Sequence, residues 1–197
     1  KINLNYWGII ILILFASFSR LIPHIPNFTP VGAIALFGGA YFKNKFHAFL
    51  IPILSLFISD LIINNLFLSA YFKEFTFFYS GFLWQYASFI LIILIGIFSL
   101  KKFNFKKLLI TTIGSSLIFF IITNFGVWIS GSLYSKDLLG LISCYTMAIP
   151  FYKGTLLGFL FYSFLLFGIA EFFKSKRSLI IKWILWKAFL MLLITKF

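Results

Sequence analysis

Apolar residues occur in six long runs along the chain, and short polar or basic stretches separate the runs. Most of the runs meet the requirement of about 20 residues for a helix that crosses a bilayer. The second is too short, because the apolar stretch from Val31 to Phe42 would extend only about 18 Å as a helix. The pattern predicts an all-α integral membrane protein, a six-transmembrane-helix bundle with a short second helix, whose segments lie at about 5–21, 30–42, 48–70, 77–100, 108–130 and 150–173.

The chain before the short second segment is predicted to be irregular. Pro23 and Pro26 exclude regular helix from residues 22–28, because proline removes a backbone donor and clashes with the preceding turn. Thr29 is a candidate N-cap, with Pro30 at the first helical position. We therefore expect the second helix to begin at Pro30.

The end of the chain, residues 178–197, allows two interpretations. Trp183, Trp186, Lys182 and Lys187 are typical of a helix that lies in the cytoplasmic interface of a membrane. The same stretch is nearly long enough for a short seventh span. We favour the interfacial helix, and predict a six-helix transmembrane domain over 1–177 followed by an amphipathic or membrane-embedded tail over 178–197.

Composition supports the membrane assignment. The chain is 62% hydrophobic and 11% charged, whereas soluble domains are nearer half apolar and a quarter charged. A soluble core of this size cannot bury that excess, so lipid must be the solvent. The net charge of +13 does not indicate nucleic-acid binding, because the basic residues flank apolar runs instead of forming one soluble face. The frequent Phe and Lys residues hint at a bacterial source.

The positions of the cations predict an orientation. If six helices cross alternately, one side of the membrane holds nine cations, and the opposite loops hold only Arg20, Lys73, Lys136 and Lys153. Cytoplasmic loops carry the excess of Lys and Arg, so we expect a multi-pass protein of the bacterial inner membrane with both termini in the cytoplasm. The nine cations are Lys43, Lys45, Lys101, Lys102, Lys106, Lys107, Lys174, Lys176 and Arg177.

Asp60 is the most informative polar residue, because it lies in the middle of the third apolar run. A carboxylate at the centre of a membrane helix costs roughly 3 kcal/mol, so such residues usually face a protein interior or a cavity. The alternating topology places polar and aromatic side chains of five helices at the outer depth of Asp60. The convergence predicts an outward-facing cavity, with candidate substrate-binding residues Arg20, Asn27, Asp60, Asn64, Trp84, Gln85, Asn124, Trp128, Tyr145 and Lys153.

The charged and amide residues among these candidates also have a structural interpretation. Asn and Gln in membrane helices often link helices only, with an average contribution of about 0.6 kcal/mol. Arg20 and Lys153 can extend to the outer interface, and Asp60 can form an ion pair with either of them.

Within the outer loop 131–149, residues 138–148 could form a short amphipathic helix over the cavity.

Two further features concern partners and chemistry. Ala35, Gly38 and Gly39 form a strip of small residues that allows close helix packing, either inside the bundle or as a docking site for a partner membrane protein. Cys144 is the single cysteine; packing is the favoured interpretation over a nucleophile, because no partner base has a recognisable position, and cobalt or heme ligation is a minor alternative. No cofactor and no metal are predicted, and we do not expect an enzyme.

Several stretches resemble an uncharacterised bacterial family of membrane transport proteins: residues 27–42, Ser59-Asp60, 124–128 and 144–151. The likeness extends from about Arg20 to Gly168. More distantly, the chain resembles the S components of energy-coupling factor (ECF) transporters. Those are six-helix membrane proteins that capture a micronutrient from outside and associate with a coupling membrane protein and two ATPases. S components commonly dock through small residues in their first helix, whereas the strip here lies in the second.

The leading hypothesis is a substrate-binding membrane subunit of a bacterial micronutrient transporter. Asp60, Asn64 and Asn124 would hydrogen-bond the ligand, and Trp84 and Trp128 would pack on it. The sequence has no nucleotide-binding motif, so an ATP-driven step would need partner subunits. The alternative is a structural or assembly subunit of a membrane complex, and an intramembrane enzyme is a weaker third possibility.

Overall fold

The computed structural model describes residues 2, 6–22, 25–72 and 74–194, with the side chains of 6, 9, 173 and 176–194 outside the description. Every regular element in these ranges is helical, which agrees with an all-α fold. One π-helical stretch, Ile63–Phe67, directly continues α3. The helices are α1 Tyr6–Ser19, α2 Val31–Tyr41, α3 Lys45–Ile62, α4 Phe82–Ser99, α5 Phe105–Ser130 and α6 Leu138–Ile194.

Within the described ranges, four helical stretches are long and apolar enough to cross a membrane: Lys45–Phe67, Phe82–Ser99, Phe105–Ser130 and Leu138–Phe172. The apolar parts of α1 and α2, Ile10–Ser19 and Val31–Tyr41, are shorter. These lengths are those of an all-α membrane protein. They do not confirm six complete spans, because α1 is short as well as α2.

The start of α2 differs from the predicted start. The helix begins at Val31, and Pro30 occupies the N-cap position without a side-chain capping hydrogen bond. Thr29 is therefore not the cap. At the other end, the Lys45 ammonium group donates to the carbonyl oxygens of Gly39 and Phe42, which satisfies acceptors that the end of a helix leaves unpaired.

The small-residue strip lies inside the bundle. A Cβ atom added to Gly39 would stand 2.3 Å from the carbonyl oxygen of Ile93 in α4, and one added to Gly96 would stand 2.3 Å from that of Leu36 in α2. Ala35 is completely buried, and Gly38 is buried against Phe42. The strip thus allows the backbones of α2 and α4 to touch. This corrects the prediction of partner docking through Ala35, Gly38 and Gly39, since these positions are not exposed.

The loop and short helix predicted over 131–149 are replaced by an earlier start of α6. Asp137 initiates this helix: its Oδ1 accepts hydrogen bonds from the Gly140 N–H at 2.7 Å and from the Ser135 hydroxyl at 2.8 Å. An acceptor side chain at this position satisfies an unpaired N–H of the first turn. Residues 138–148 therefore form the first turns of a long helix and not a separate cap.

The chain divides into two compact units after Ser163, and α6 contributes to both. In the second unit Lys174 pairs with Glu171 at 2.6 Å. The backbone is helical through the tail to Ile194. The tail side chains and residues 195–197 lie outside the described part, so the amphipathic tail stays a prediction.

The contact between α2 and α4 identifies a basic end of the first unit. Gly39 and Gly96 meet close to the C-terminal ends of their helices, so the basic loops that follow both helices lie at the same end. The end of α1 and the starts of α2 and α4 lie at the opposite end, which we call the polar end. It carries Arg20, Asn27, Asp60, Gln85 and Asn124. The placement of the basic end in the cytoplasm remains a prediction.

Candidate functional site

Three cavities follow one another at the polar end. The central cavity measures about 80 Å³ and is bordered by Arg20, Asn27, Thr29 and Gln85. The α5–α6 cavity, about 250 Å³, shares Asn27 and Gln85 with it and extends to Asn124. The outer hollow is more open, about 440 Å³, and shares Arg20, Asn27 and Thr29 with the central cavity. The shared walls show that the three spaces are neighbours.

Asn27 borders all three cavities, and its position is set by a close contact with α6. A Cβ atom on Gly154 would stand 2.0 Å from the carbonyl oxygen of Pro26, and one on Gly158 would stand 3.1 Å from the Phe28 Cα. Two glycines four residues apart therefore let the loop 25–30 lie directly on the helix backbone. Asn27 itself has φ of 64°, a left-handed conformation that Asn tolerates better than most residues.

The Arg20 side chain is held by α3. Its Nη1 donates to Asp60 Oδ1 at 2.7 Å, to the Ser59 hydroxyl, and to the Leu56 carbonyl oxygen at 3.4 Å. The side chain of Arg20 is 16% exposed and that of Asp60 is 6% exposed. An ion pair with so little water is kept in one geometry by these added hydrogen bonds.

Asp60 borders none of the three cavities. Besides Arg20, its carboxylate accepts a long hydrogen bond of 3.4 Å from the Tyr86 hydroxyl. A direct hydrogen bond from Asp60 to a ligand therefore stays a prediction. The structure matches the ion-pair alternative, in which the carboxylate positions Arg20 from behind.

Gln85 and Asn124 border cavities. The Tyr79 hydroxyl donates to Gln85 Oε1, and burial raises the pKa of that hydroxyl, so it stays protonated and able to donate. Asn124 Nδ2 donates to the Phe120 carbonyl oxygen at 2.7 Å. The two amides are each anchored at one atom, and their remaining groups are available to the cavities.

Three aromatic candidates are occupied elsewhere. Trp84 packs where a side chain on Gly126 would stand and donates to the Ser130 hydroxyl at 3.1 Å. Trp128 Nε1 donates to the Ser135 carbonyl oxygen at 2.8 Å. Tyr145 donates to the Ile121 carbonyl oxygen at 2.6 Å. None of the three borders the cavities described above, and each links two segments of the bundle.

Two further candidates lie apart from the cavities. Asn64 is 4% exposed within the π-helical stretch, and its Nδ2 has no hydrogen-bond partner within the described ranges. Lys153 is exposed and borders a separate hollow of about 260 Å³ with Ile25 and Pro150. The structure thus brings Arg20, Asn27, Gln85 and Asn124 together, and leaves six of the ten candidates outside.

Residues 1–181 match a family profile. The chain belongs to DUF6580, a family of unknown function. No curated protein and no solved structure matches this DUF6580 chain. Because the family carries no assigned activity, the resemblance to S components is not confirmed.

Sequence reasoning missed part of the cavity lining of this DUF6580 member. Thr29 and Thr155 border the central cavity, and Tyr152 borders the α5–α6 cavity, where its hydroxyl lies 3.2 Å from that of Ser116. Thr155 gives little signal in a membrane helix, because a threonine hydroxyl can bond the carbonyl one turn back, here that of Phe151 at 3.4 Å. The glycine pair 154 and 158 was the available signal, since it marks where the Asn27 loop packs.

The metal-binding capacity of the DUF6580 chain is limited in the described ranges. No group of three His, Cys, Asp or Glu side chains comes together there. Cys144 is 2% exposed and donates a weak hydrogen bond of 3.4 Å to the Asn124 carbonyl oxygen. It acts there as a packed residue beside Asn124. The cavity lining is therefore suited to hydrogen bonding and aromatic packing.

Proposed function

We propose that this protein captures a small polar molecule in the central and α5–α6 cavities, as the substrate-binding membrane subunit of a bacterial micronutrient transporter. The observation that carries the proposal is the series of neighbouring cavities at the polar end, with Arg20, Asn27, Gln85 and Asn124 on their walls. Polar groups in a membrane protein are costly and usually mark a substrate path.

The lining of the cavities supports binding of a molecule with a polar group and an apolar body. Phe119 borders both inner cavities, and Tyr152 and Phe120 extend the aromatic wall of the larger one. A dry cavity of roughly 150 Å³ accepts a benzene molecule. A cavity of about 250 Å³ therefore has room for a single ring with small substituents.

The charge pattern supports capture from outside the cell. The loops after α2 and α4 are basic and lie at the end opposite the cavities. Under the positive-inside rule that end is cytoplasmic, which leaves the polar end outside. Energy coupling would then come from a partner membrane protein with ATPase subunits. Such a partner would need a surface other than the buried strip on α2.

A structural or assembly subunit is the second candidate, and specific contacts favour it. Asn65 donates to the Thr76 carbonyl oxygen and accepts from the Thr76 N–H, which fastens the loop before α4. Arg20 and Asp60, Trp84, Trp128 and Tyr145 also have internal partners. In this case the cavities would hold water or lipid only, and no metabolite would bind.

The deciding experiment is native mass spectrometry of the protein purified in mild detergent, in search of a bound metabolite. We expect an adduct in the wild type and its loss in the double variant Gln85→Leu, Asn124→Leu. Tyr152→Phe and Tyr145→Phe provide a matched pair, because both remove one hydroxyl but only Tyr152 borders the cavity. The adduct should weaken in the first and persist in the second.

The contrary outcome is equally clear. A wild-type protein without an adduct, combined with stable association to another membrane protein, would favour the assembly subunit. A parallel affinity purification from membranes should test whether ATPase subunits accompany the protein, as the transporter proposal requires.

A further inference from the structure

The hydrogen bonds of Arg20 leave half of its guanidinium group available. A guanidinium has five N–H donors in a rigid planar fork. All three side-chain hydrogen bonds of Arg20 start from Nη1, and Nε and Nη2 make no hydrogen bond to another described residue. These two nitrogens form one edge of the fork, and they carry three N–H groups.

The central cavity, which Arg20 borders, is rich in donors. Gln85 also borders it, and because its Oε1 accepts the Tyr79 hydroxyl, its Nε2 presents two further N–H groups without a partner in the described part of the chain. The Thr29 hydroxyl on the same wall likewise makes no hydrogen bond to another described residue. A ligand that fills this cavity must therefore supply acceptor atoms, since an unpaired buried donor costs about 1–3 kcal/mol.

The charges around the three cavities are compatible with a bound anion. The chain contains four Asp and Glu residues in total, and none of them borders any of the three cavities. Asp60 pairs with Nη1 of Arg20, whereas the proposed ligand would use the edge formed by Nε and Nη2. It fixes the guanidinium plane without repelling a ligand from within the cavity.

We propose that the ligand is a small carboxylic acid, whose carboxylate accepts hydrogen bonds from Nε and Nη2 of Arg20 and from Nε2 of Gln85. This inference rests on the proposed function and names its substrate class. A carboxylate matches the two parallel N–H groups of a guanidinium edge, and a space of about 80 Å³ accommodates that group alone. The body of the molecule would occupy the α5–α6 cavity beside Phe119 and Tyr152.

The test uses benzoate and benzamide as a matched pair of probes. They have the same ring and nearly the same shape, and only benzoate is an anion at pH 7. We expect calorimetric titration of the detergent-purified protein to show benzoate binding at least about tenfold tighter than benzamide, which corresponds to about 1.4 kcal/mol. Arg20→Lys keeps the charge but loses the fork, so it should remove most of the preference.

Asp60→Asn tests the positioning role of the carboxylate. It keeps the Arg20 charge but weakens the hold on Nη1, so the preference for benzoate should fall while benzamide binding changes little. The double variant Arg20→Gln, Asp60→Asn leaves no unpaired charge in the bundle and covers the case in which a single variant does not fold. It should bind both probes equally.

The outcomes separate the two proposals. Equal binding of benzoate and benzamide to the wild type would overturn the carboxylate assignment and leave small-molecule capture in place. A benzoate preference that survives in the double variant would also overturn it. If neither probe binds, both the assignment and capture of single-ring molecules in these cavities are wrong.

Discussion

The two ends of α4 differ in how tightly they pack against their neighbours. Near its C-terminal end, Gly96 meets α2 so closely that neither Gly96 nor Gly39 could carry a methyl group. Near its N-terminal end, Gln85 borders two cavities together with residues of α5, α6 and the loop 25–30. One helix therefore takes part in a dry contact at one end and in a set of open spaces at the other.

The difference shows that small residues and polar residues have different roles in this bundle. At the dry contact, Gly39 and Gly96 bring the backbones of α2 and α4 together. Polar side chains occur where helices separate, and each is anchored by a neighbour: Arg20 by Asp60, Gln85 by Tyr79, and Asn124 by Phe120. The dry contact should respond to added volume, and the polar end to lost hydrogen-bond partners.

The strongest test of the dry contact is Gly39→Ala. The new methyl group would overlap the carbonyl oxygen of Ile93, a backbone atom that cannot move alone, so we expect a loss of at least about 3 kcal/mol in the free energy of unfolding. Gly114→Ala is the matched control, because its methyl group would meet nothing within 4 Å. Unfolding in detergent, followed by circular dichroism, should show the control unchanged or more stable by up to about 1 kcal/mol. Equal effects of the two substitutions would contradict the close contact.

The polar end should respond to a change in the Arg20–Asp60 pair. Asp60→Ala leaves a half-buried cation without its partner, and we expect a loss of roughly 3 kcal/mol. The double variant Arg20→Met, Asp60→Leu should recover most of that stability, because an apolar pair of similar volume often replaces a buried ion pair without cost. The same double variant should no longer bind an acidic ligand. A cycle of unfolding measurements on Arg20→Met, Asp60→Leu and their double variant would test this; additive losses would show that the pair is not coupled.

The smallest effect is expected at the start of α6, outside the cavities. Hydrogen bonds from the Gly140 N–H and the Ser135 hydroxyl lower the pKa of Asp137 below its usual value of 3.8. A carboxyl group with a lowered pKa stabilises the folded state above the usual value, and this contribution is lost as the pH falls through the lowered pKa. The melting temperature of the wild type should therefore exceed that of Asp137→Asn near pH 6, and the difference should shrink below about pH 4. A constant difference across this range would contradict the role of the charge.

The approximate positions of α2 to α5 could be predicted from the sequence, because a membrane helix appears as an apolar run and basic residues mark where the run ends. The second helix was predicted at 30–42 and lies at Val31–Tyr41, and the fifth was predicted at 108–130 and lies at Phe105–Ser130. The sixth segment was predicted at 150–173, whereas α6 begins at Leu138. Its early start was missed because Gly140 and Ser143 dilute the apolar pattern of the first turns, and Pro150 indicates a boundary that the helix passes through.

The candidate site could be predicted to the level of the end of the bundle, but not to the level of contacts. Arg20, Gln85 and Asn124 share a depth, which the alternating topology reveals. Whether a side chain turns to a cavity or to a neighbouring helix depends on rotation about the helix axis and on partners distant in sequence. Trp84 fills the space beside Gly126, and Asp60 faces Arg20. Neither contact can be predicted from the hydropathy pattern.

The left-handed backbone conformation of Asn27 implies that this residue lowers the stability of the folded chain while its side chain serves the proposed ligand binding. Glycine adopts such a conformation freely, whereas a side chain there costs up to about 1 kcal/mol. Asn27→Gly should therefore relax the loop and at the same time remove a side chain that, alone among the described residues, borders all three cavities. Selection for thermal resistance alone would favour glycine at this position, and selection for ligand capture would keep asparagine.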